Sequence, residues 1–151
     1  MAEGIHWPKG FGPGAAPIHV VNRIETETAP EIVWRRLIHA AGWPDIYANA
    51  SDVAIEGGGA DLFAGARFNW KTFGVALRSE VKEFEPDSRI AWLAKGTGVT
   101  AYHAWLIVPV GTGCAVLTEE TQYGLVSRVG RLLFPTRMER WHQNWLEALA
   151  A

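Results

Sequence analysis

The stretch that decides the fold is Ala101 to Gly124, AYHAWLIVPVGTGCAVLTEETQYG. Two extended runs meet at a glycine-rich turn, and a loop at residues 110 to 113 sets Pro109 opposite Cys114. Counting outward, Ile107 then pairs with Val116, Trp105 with Thr118 and His103 with Glu120, and the alternation of a strand puts all six side chains on one face. A slip of one residue would set His103 against Thr121 and break the histidine–carboxylate pair. Glu119 and Thr121 fall on the opposite face and suit water, so the face carrying His103 and Trp105 is expected to be the inner one.

The chain before this hairpin is repetitive in kind. Ala66 to Phe73, Val75 to Glu85 and Arg89 to Lys95 read as strands whose Gly and Pro-Asp turns are short enough to force antiparallel neighbours. In VALRSEVKEFEPDSRIAW, residues 75 to 92, a turn at Pro86-Asp87 sets Val81 opposite Trp92 and turns Trp92 inward. In ARFNWKTF, residues 66 to 73, the same alternation turns Phe68 and Trp70 inward.

Further back, Ile18 to Thr28 alternates as a first strand, and Thr28-Ala-Pro-Glu31 opens a helix with Thr28 as N-cap and Glu31 at the capping-box position. This helix should end near Gly42. A second short helical turn starts at Trp43-Pro44, and a short strand runs from Asp52 to Glu56. Beyond Gly124 the period changes: Leu125, Val129, Leu132 and Leu133, then Met138, Trp141, Trp145 and Leu149, fall on one side of a helix that Pro135 must kink or interrupt.

These elements define an α+β domain: a curved antiparallel sheet of about seven strands wrapped around a long C-terminal helix, with two short helices after strand one. The folded domain is expected over residues 18 to 151, preceded by an irregular arm over 1 to 17 that Ile5, Trp7 and Phe11 can pin down. Where helix and sheet splay apart, a cavity is the natural result.

Composition narrows the classes of function. With a net charge of −2, no basic tail and 20% charged residues, the chain has no general attraction to phosphate backbones, so nucleic acid is not an expected partner. The absence of a long apolar run argues against stable membrane insertion, and the N-terminal stretch lacks a secretory h-region. The single cysteine, Cys114, fits a reducing compartment, so a cytoplasmic protein is expected. Eight tryptophans are the unusual number, since so many rings must fill a core or line a concave surface.

The order of TAPEIVWRRL, WPDIY, SEVKEFEPDSRIAW, HAWLIVP, TEETQYG and HQNWLEAL resembles the START-like, or SRPBCC, superfamily, and within it the polyketide cyclase/dehydrase-like branch. The likeness runs from about Ile18 to Leu149. It implies the helix-grip fold and an internal cavity for hydrophobic ligands such as lipids, sterols, hormones and polyketides, with cyclisation or dehydration catalysed there in some members. The superfamily has no universal catalytic signature, so no catalytic role carries over to a numbered position, and function rests on the site itself.

The candidate site is read from the inward faces. Phe68, Trp70, Trp92 and Trp105 from the strands and Trp141 and Trp145 from the helix are expected to cage an apolar or flat ligand, with Val81, Thr118 and Met138 beside them. His103 and Glu120 are the polar candidates. A partly desolvated pair would titrate as a unit, able either to orient a ligand hydroxyl or to move a proton beside a carbonyl. His142 and Asn144 lie at the edge of the helical stripe, and Gln122 and Tyr123 near the mouth.

No cofactor and no metal are expected: the five histidines form no HxH or HExxH, and one cysteine rules out paired thiolates. Nor is there a GxSxG for hydrolysis. Arg128, Arg131, Arg137 and Arg140 read first as a solvated face, with an acidic partner or lipid headgroup as the other reading.

The primary expectation is the binding of a small hydrophobic molecule, aromatic, polyketide-like or lipid-like, in the internal cavity. A cyclase or dehydratase using His103 as general acid/base is one alternative. A module whose tryptophan-rich groove receives a partner is the other. Oligomeric state stays open, a homodimer included.

Overall fold

The structure, a computed structural model, describes residues 4 to 151; Met1 to Glu3 of the expected arm lie outside the described residues. The seven strands are β1 (Ile18–Thr26), β2 (Ser51–Ile55), β3 (Arg67–Thr72), β4 (Val75–Glu85), β5 (Arg89–Gly96), β6 (Val99–Val110) and β7 (Gly113–Tyr123). They form one antiparallel sheet in the order β1-β7-β6-β5-β4-β3-β2. Each hairpin therefore joins neighbours, and only β1 crosses to the far edge, beside β7. The helices α1 (Pro30–Ile38) and α2 (Trp43–Ile46), with a 3-10 turn at Ala40–Gly42 between them, carry the chain from one sheet edge to the other.

The register of the central hairpin follows from its loop length. Pro109 faces Cys114, Ile107 faces Val116, Trp105 faces Thr118 and His103 faces Glu120. Val81 lies opposite Trp92, next to a register shift that leaves Lys82 unpaired and bends β4.

The C-terminal segment is two helices, α3 (Leu125–Leu133) and α4 (Arg137–Ala150), with Pro135 in the break. Only α4 is gripped by the sheet. It buries Met138, His142, Trp145, Leu146 and Leu149, which share one face through spacings of three and four residues. Asn22 of β1 donates to the Glu139 carbonyl at 2.8 Å and to Gln143 Oε1 at 3.1 Å. At its far end the Ala150 carbonyl accepts from the hydroxyls of Thr26 and Thr28, and Arg36 donates to the Leu149 carbonyl, so helix-end acceptors are satisfied by β1 and α1.

The Thr28 contact corrects the expected N-cap. Thr28 spends its hydroxyl on α4, and the residue at the N-cap of α1 is Ala29, with Pro30 at the first position. The expected single stripe is corrected too: Leu125, Val129, Leu132 and Leu133 of α3 are exposed rather than packed with the α4 stripe, Leu132 at 81%.

The core is aromatic. Trp43 sits at its centre, with ring centroids 5.1 to 5.8 Å from Phe68, Trp70, Trp92 and Trp145, and its indole N–H reaches the Leu37 carbonyl at 2.9 Å. On the convex side of the sheet the N-terminal arm covers β5 and β6, where its Ile5, Trp7 and Phe11 pack on Ala91, Tyr102 and Ala104, while the outward residues Arg67, Asn69, Lys71 and Arg78 of β3 and β4 stay exposed. Glu119 and Thr121 therefore do not face water: Thr121 is fully buried and donates to the Phe11 carbonyl at 2.7 Å, and Glu119 pairs with His19 at 2.6 Å. Among the described residues no helix is long and apolar enough to cross a membrane.

Candidate functional site

Between the sheet, α3 and α4 lies a cavity of about 420 Å³, within the range of roughly 300–1,000 Å³ usual for small-molecule sites. Its walls are Trp70, Phe73, Val75 and Leu77 from β3, β4 and their turn, and Val99 and Ala101 from β6. The inner end is made by Tyr47, Trp145, His103, Glu120, Gln122 and His142; the outer end by Leu125, Val126, Val129, Phe134, Arg131 and Arg137. The chamber is apolar over most of its length; His103, Glu120, Gln122 and His142 gather at the inner end, while the buried Ser127 on α3 spends its hydroxyl on the Tyr123 carbonyl.

Sheet register and helix phase create that convergence. His103 on β6 and Glu120 on β7 are cross-strand partners, and α4 lays His142 over both. His103 Nδ1 lies 3.5 Å from Glu120 Oε1, and His142 Nε2 lies 3.6 Å from Glu120 Oε2. The two imidazoles stack with centroids 4.8 Å apart. His103 Nε2 is 2.7 Å from Thr118 Oγ1, whose hydroxyl donates to the Ala104 carbonyl at 3.1 Å. A carbonyl only accepts, so the single hydroxyl hydrogen of Thr118 goes there, and His103 must be the donor in the other contact. His103 is thus the Nε2–H tautomer, with a bare Nδ1 turned toward Glu120. Gln122 steadies the carboxylate by donating to Oε2 at 3.1 Å.

Burial governs the charge state. It drives His103 well below the usual imidazole range, reinforced by the neighbouring His142. It also lowers His142 to about 4 and pushes Glu120 up to about 7, the latter opposed by the hydrogen bond from Gln122. Near neutrality the cluster is therefore two neutral imidazoles beside a carboxyl group poised to titrate. The imidazolium–carboxylate pair that attraction alone would favour gives way to desolvation.

Of the residues anticipated for ligand contact, Trp70, His103, Glu120, Met138 and Trp145 line the cavity. Phe68, Val81, Trp92, Trp105 and Thr118 are buried in or beside the solid core, off the cavity wall, and Trp141 packs at the core's edge against Tyr47. Inward on a strand means core or cavity alike, and Trp43, delivered by the short helix α2, decides which by filling the space above Phe68 and Trp92. Tyr123 points to the arm, its hydroxyl donating to the Gly10 carbonyl. Reading the sequence underweights His142 and leaves out Tyr47 and Phe73. For His142 a signal exists: it is one turn from both Met138 and Leu146 on the buried stripe.

The outer end has its own construction. The first backbone N–H groups of α3, at Val126 and Ser127, donate to the Gly98 carbonyl at 3.1 and 3.4 Å, so the β5–β6 turn caps the helix. Arg131 grips Glu139 through two contacts of 2.7 and 2.5 Å, tying α3 to α4 across Pro135. Arg137 lies over the rings of Phe134 and Phe73, at 4.7 and 5.3 Å, bridging the two sides of the mouth.

A curved antiparallel sheet gripping a C-terminal helix over an apolar chamber defines a helix-grip protein. The chain belongs to the polyketide cyclase/dehydrase and lipid transport family, whose sequence profile matches residues 17–151. Its structure is similar to that of the hypothetical protein jhp0584 from Helicobacter pylori, at 29% identity and a TM-score of 0.91, covering 99% of this chain and 96% of that one. TTHA0849 from Thermus thermophilus shares the fold at 19% identity and a TM-score of 0.72, covering 88% and 94%. So does the di-domain ARO/CYC StfQ from the steffimycin biosynthetic pathway, at 14% identity and 0.70, where 87% of this chain matches 49% of that one. No curated protein matches the chain.

Proposed function

We propose that the protein binds a small, largely apolar molecule whose one polar end sits against His103, Glu120 and His142. The observation that carries this reading is the segregation within the cavity: apolar walls lead to a single buried polar cluster, which would orient a ligand without needing many contacts. Flat aromatic and polyketide-like molecules suit Trp70, Phe73 and Trp145, and family membership agrees with a small hydrophobic ligand.

The test is an equilibrium titration of 1-naphthol, and separately of palmitate, into the wild type and a Leu77→Trp variant that fills the chamber. Saturable binding by the wild type, lost in a folded Leu77→Trp protein, is expected. Failure of both probes to bind, or equal binding by both proteins, would overturn it.

One observation favours a second reading, acid–base catalysis of the cyclase or dehydratase type. A neutral His103 with a bare Nδ1 beside a carboxyl group raised to about 7 is a base and an acid held in one site. Turnover of a β-polyketone substrate that disappears in Glu120→Gln while binding persists would select it. The tryptophan-rich docking groove has less support, since Trp43, Trp70, Trp92, Trp105 and Trp145 are all buried.

A further inference from the structure

We propose that His103, Glu120 and His142 form a site for one divalent transition-metal ion, with an open coordination position facing the apolar chamber. The three side chains come from β6, β7 and α4, are 1%, 8% and 2% exposed, and bring one ligand atom each within 4.8 Å of the others. No local motif announces them, because sheet register supplies two and helix phase the third. The expectation of no metal rests on local spacings alone.

Geometry and chemistry both fit. Metal–ligand bonds of about 2.0–2.1 Å in a tetrahedral site put ligand atoms about 3.4 Å apart; His103 Nδ1 lies 3.5 Å from Glu120 Oε1 and His142 Nε2 3.6 Å from Oε2, so each imidazole stands about one such edge from its own oxygen of the shared carboxylate. The widest pair of the triad closes by at most about 1.4 Å to reach the same edge.

The tautomer matters most. The hydrogen of His103 is committed to Thr118, so Nδ1 presents a lone pair toward a carboxylate oxygen across a gap too long for a hydrogen bond. With Glu120 ionised, two acceptors face each other across that gap, which suits a cation between them. The supports expected around metal ligands are also in place: the other nitrogen of His103 is held by Thr118, itself anchored on a backbone carbonyl, and the carboxylate is held by Gln122. Two imidazoles and one carboxylate select zinc, iron(II), cobalt(II) and their neighbours over calcium or magnesium, which prefer oxygen ligands.

This inference stands apart from the ligand reading, whose titration is run on chelator-treated protein. Its test is titration of cobalt(II) alone into the full chelator-treated chain, followed by absorption and by pseudocontact shifts in the NMR spectrum. A saturable 1:1 site is expected, with the ligand-field bands of low-coordinate cobalt and shifts that place the ion between β6, β7 and α4. Thr118→Val should weaken it by about 10–100-fold, and folded Glu120→Gln or His142→Ala should lose it. Replacing the surface histidines His6, His19 and His39 by glutamine should leave it intact. Absence of saturable binding, or shifts that place the ion at one of those surface histidines, would overturn the proposal; the shift measurement needs no variant of the triad.

Discussion

Glu120 is the residue on which the electrostatics of the site turn. Around it stand His103 from β6, Gln122 beside it on β7, His142 from α4 and the phenol of Tyr47, whose own ionisation is suppressed chiefly by burial and further by Glu120. Its carboxyl is raised from 4.5 to about 7 by burial, so between those values the folded protein holds the proton that the unfolded chain releases. That contribution to stability is present below pH 4.5 and is lost as pH rises through 7. The buried histidines act in the opposite sense: held neutral to about 4 in the case of His142, they cost stability as pH falls below 6.5. In chelator-treated protein, Glu120→Gln should therefore be more stable than the wild type at pH 8, by on the order of 3 kcal/mol, and show no such gain at about pH 4.5. Thermal denaturation at the two pH values checks this; an equal change at both would contradict it. The tautomer of His103 is open to direct observation. A long-range proton–nitrogen spectrum of the metal-free protein should show Nε2–H, with Nδ1–H as the contradicting result, and Thr118→Val should destabilise the domain by about 1–3 kcal/mol by leaving that N–H buried without an acceptor.

Among the elements, α3 distinguishes this chamber from a closed core. Its apolar residues Leu125, Leu132 and Leu133 are exposed, and it stays in place through the Gly98 cap, the Arg131–Glu139 pair and the Arg137 bridge. Gly124, just before the helix, has φ +118°, and a Cβ there would lie 2.1 Å from the Gly98 carbonyl oxygen. Gly124→Ala is expected to cost at least about 1 kcal/mol and to unseat α3, read as faster proteolysis within residues 125–136; unchanged proteolysis would contradict the interlock. Arg137→Ala removes only the bridge, a contribution of about 0.5–1 kcal/mol per ring. It should speed amide exchange in α3 while hardly moving the exchange of β6 and β7.

The elements also show how far a sequence carries. The register of β6 and β7 is legible because loop length and alternation fix which residues face each other, and that register already pairs His103 with Glu120. The exposure of α3 is not, because an apolar stripe at helical spacing says which side of a helix is oily and nothing of whether a partner covers it. The N-cap of α1 fails for a related reason: Thr28 has two backbone groups to choose between, and the second, at Ala150, lies at the other end of the chain.

For the molecule as a whole, one sheet serves two tasks. Its convex face is covered over β5 and β6 by the arm, and its concave face is divided between a tryptophan core and an open chamber. The family and the α+β architecture can be read from the order of elements. The boundary between core and chamber cannot, since it depends on where Trp43 is delivered by a segment with no periodicity. Trp43→Ala should cost about 3–5 kcal/mol and merge core with chamber, seen as a large loss of thermal stability; a loss under about 1 kcal/mol would show that Trp43 is not the divider.

The binding proposal turns on whether the chamber beneath α3 is occupied by a ligand. Native mass spectrometry of gently purified protein tests it most directly. A retained small molecule at one per chain is expected from the wild type and none from a folded Leu77→Trp variant. A wild type that carries nothing, or a filled variant that retains the same mass, would contradict it.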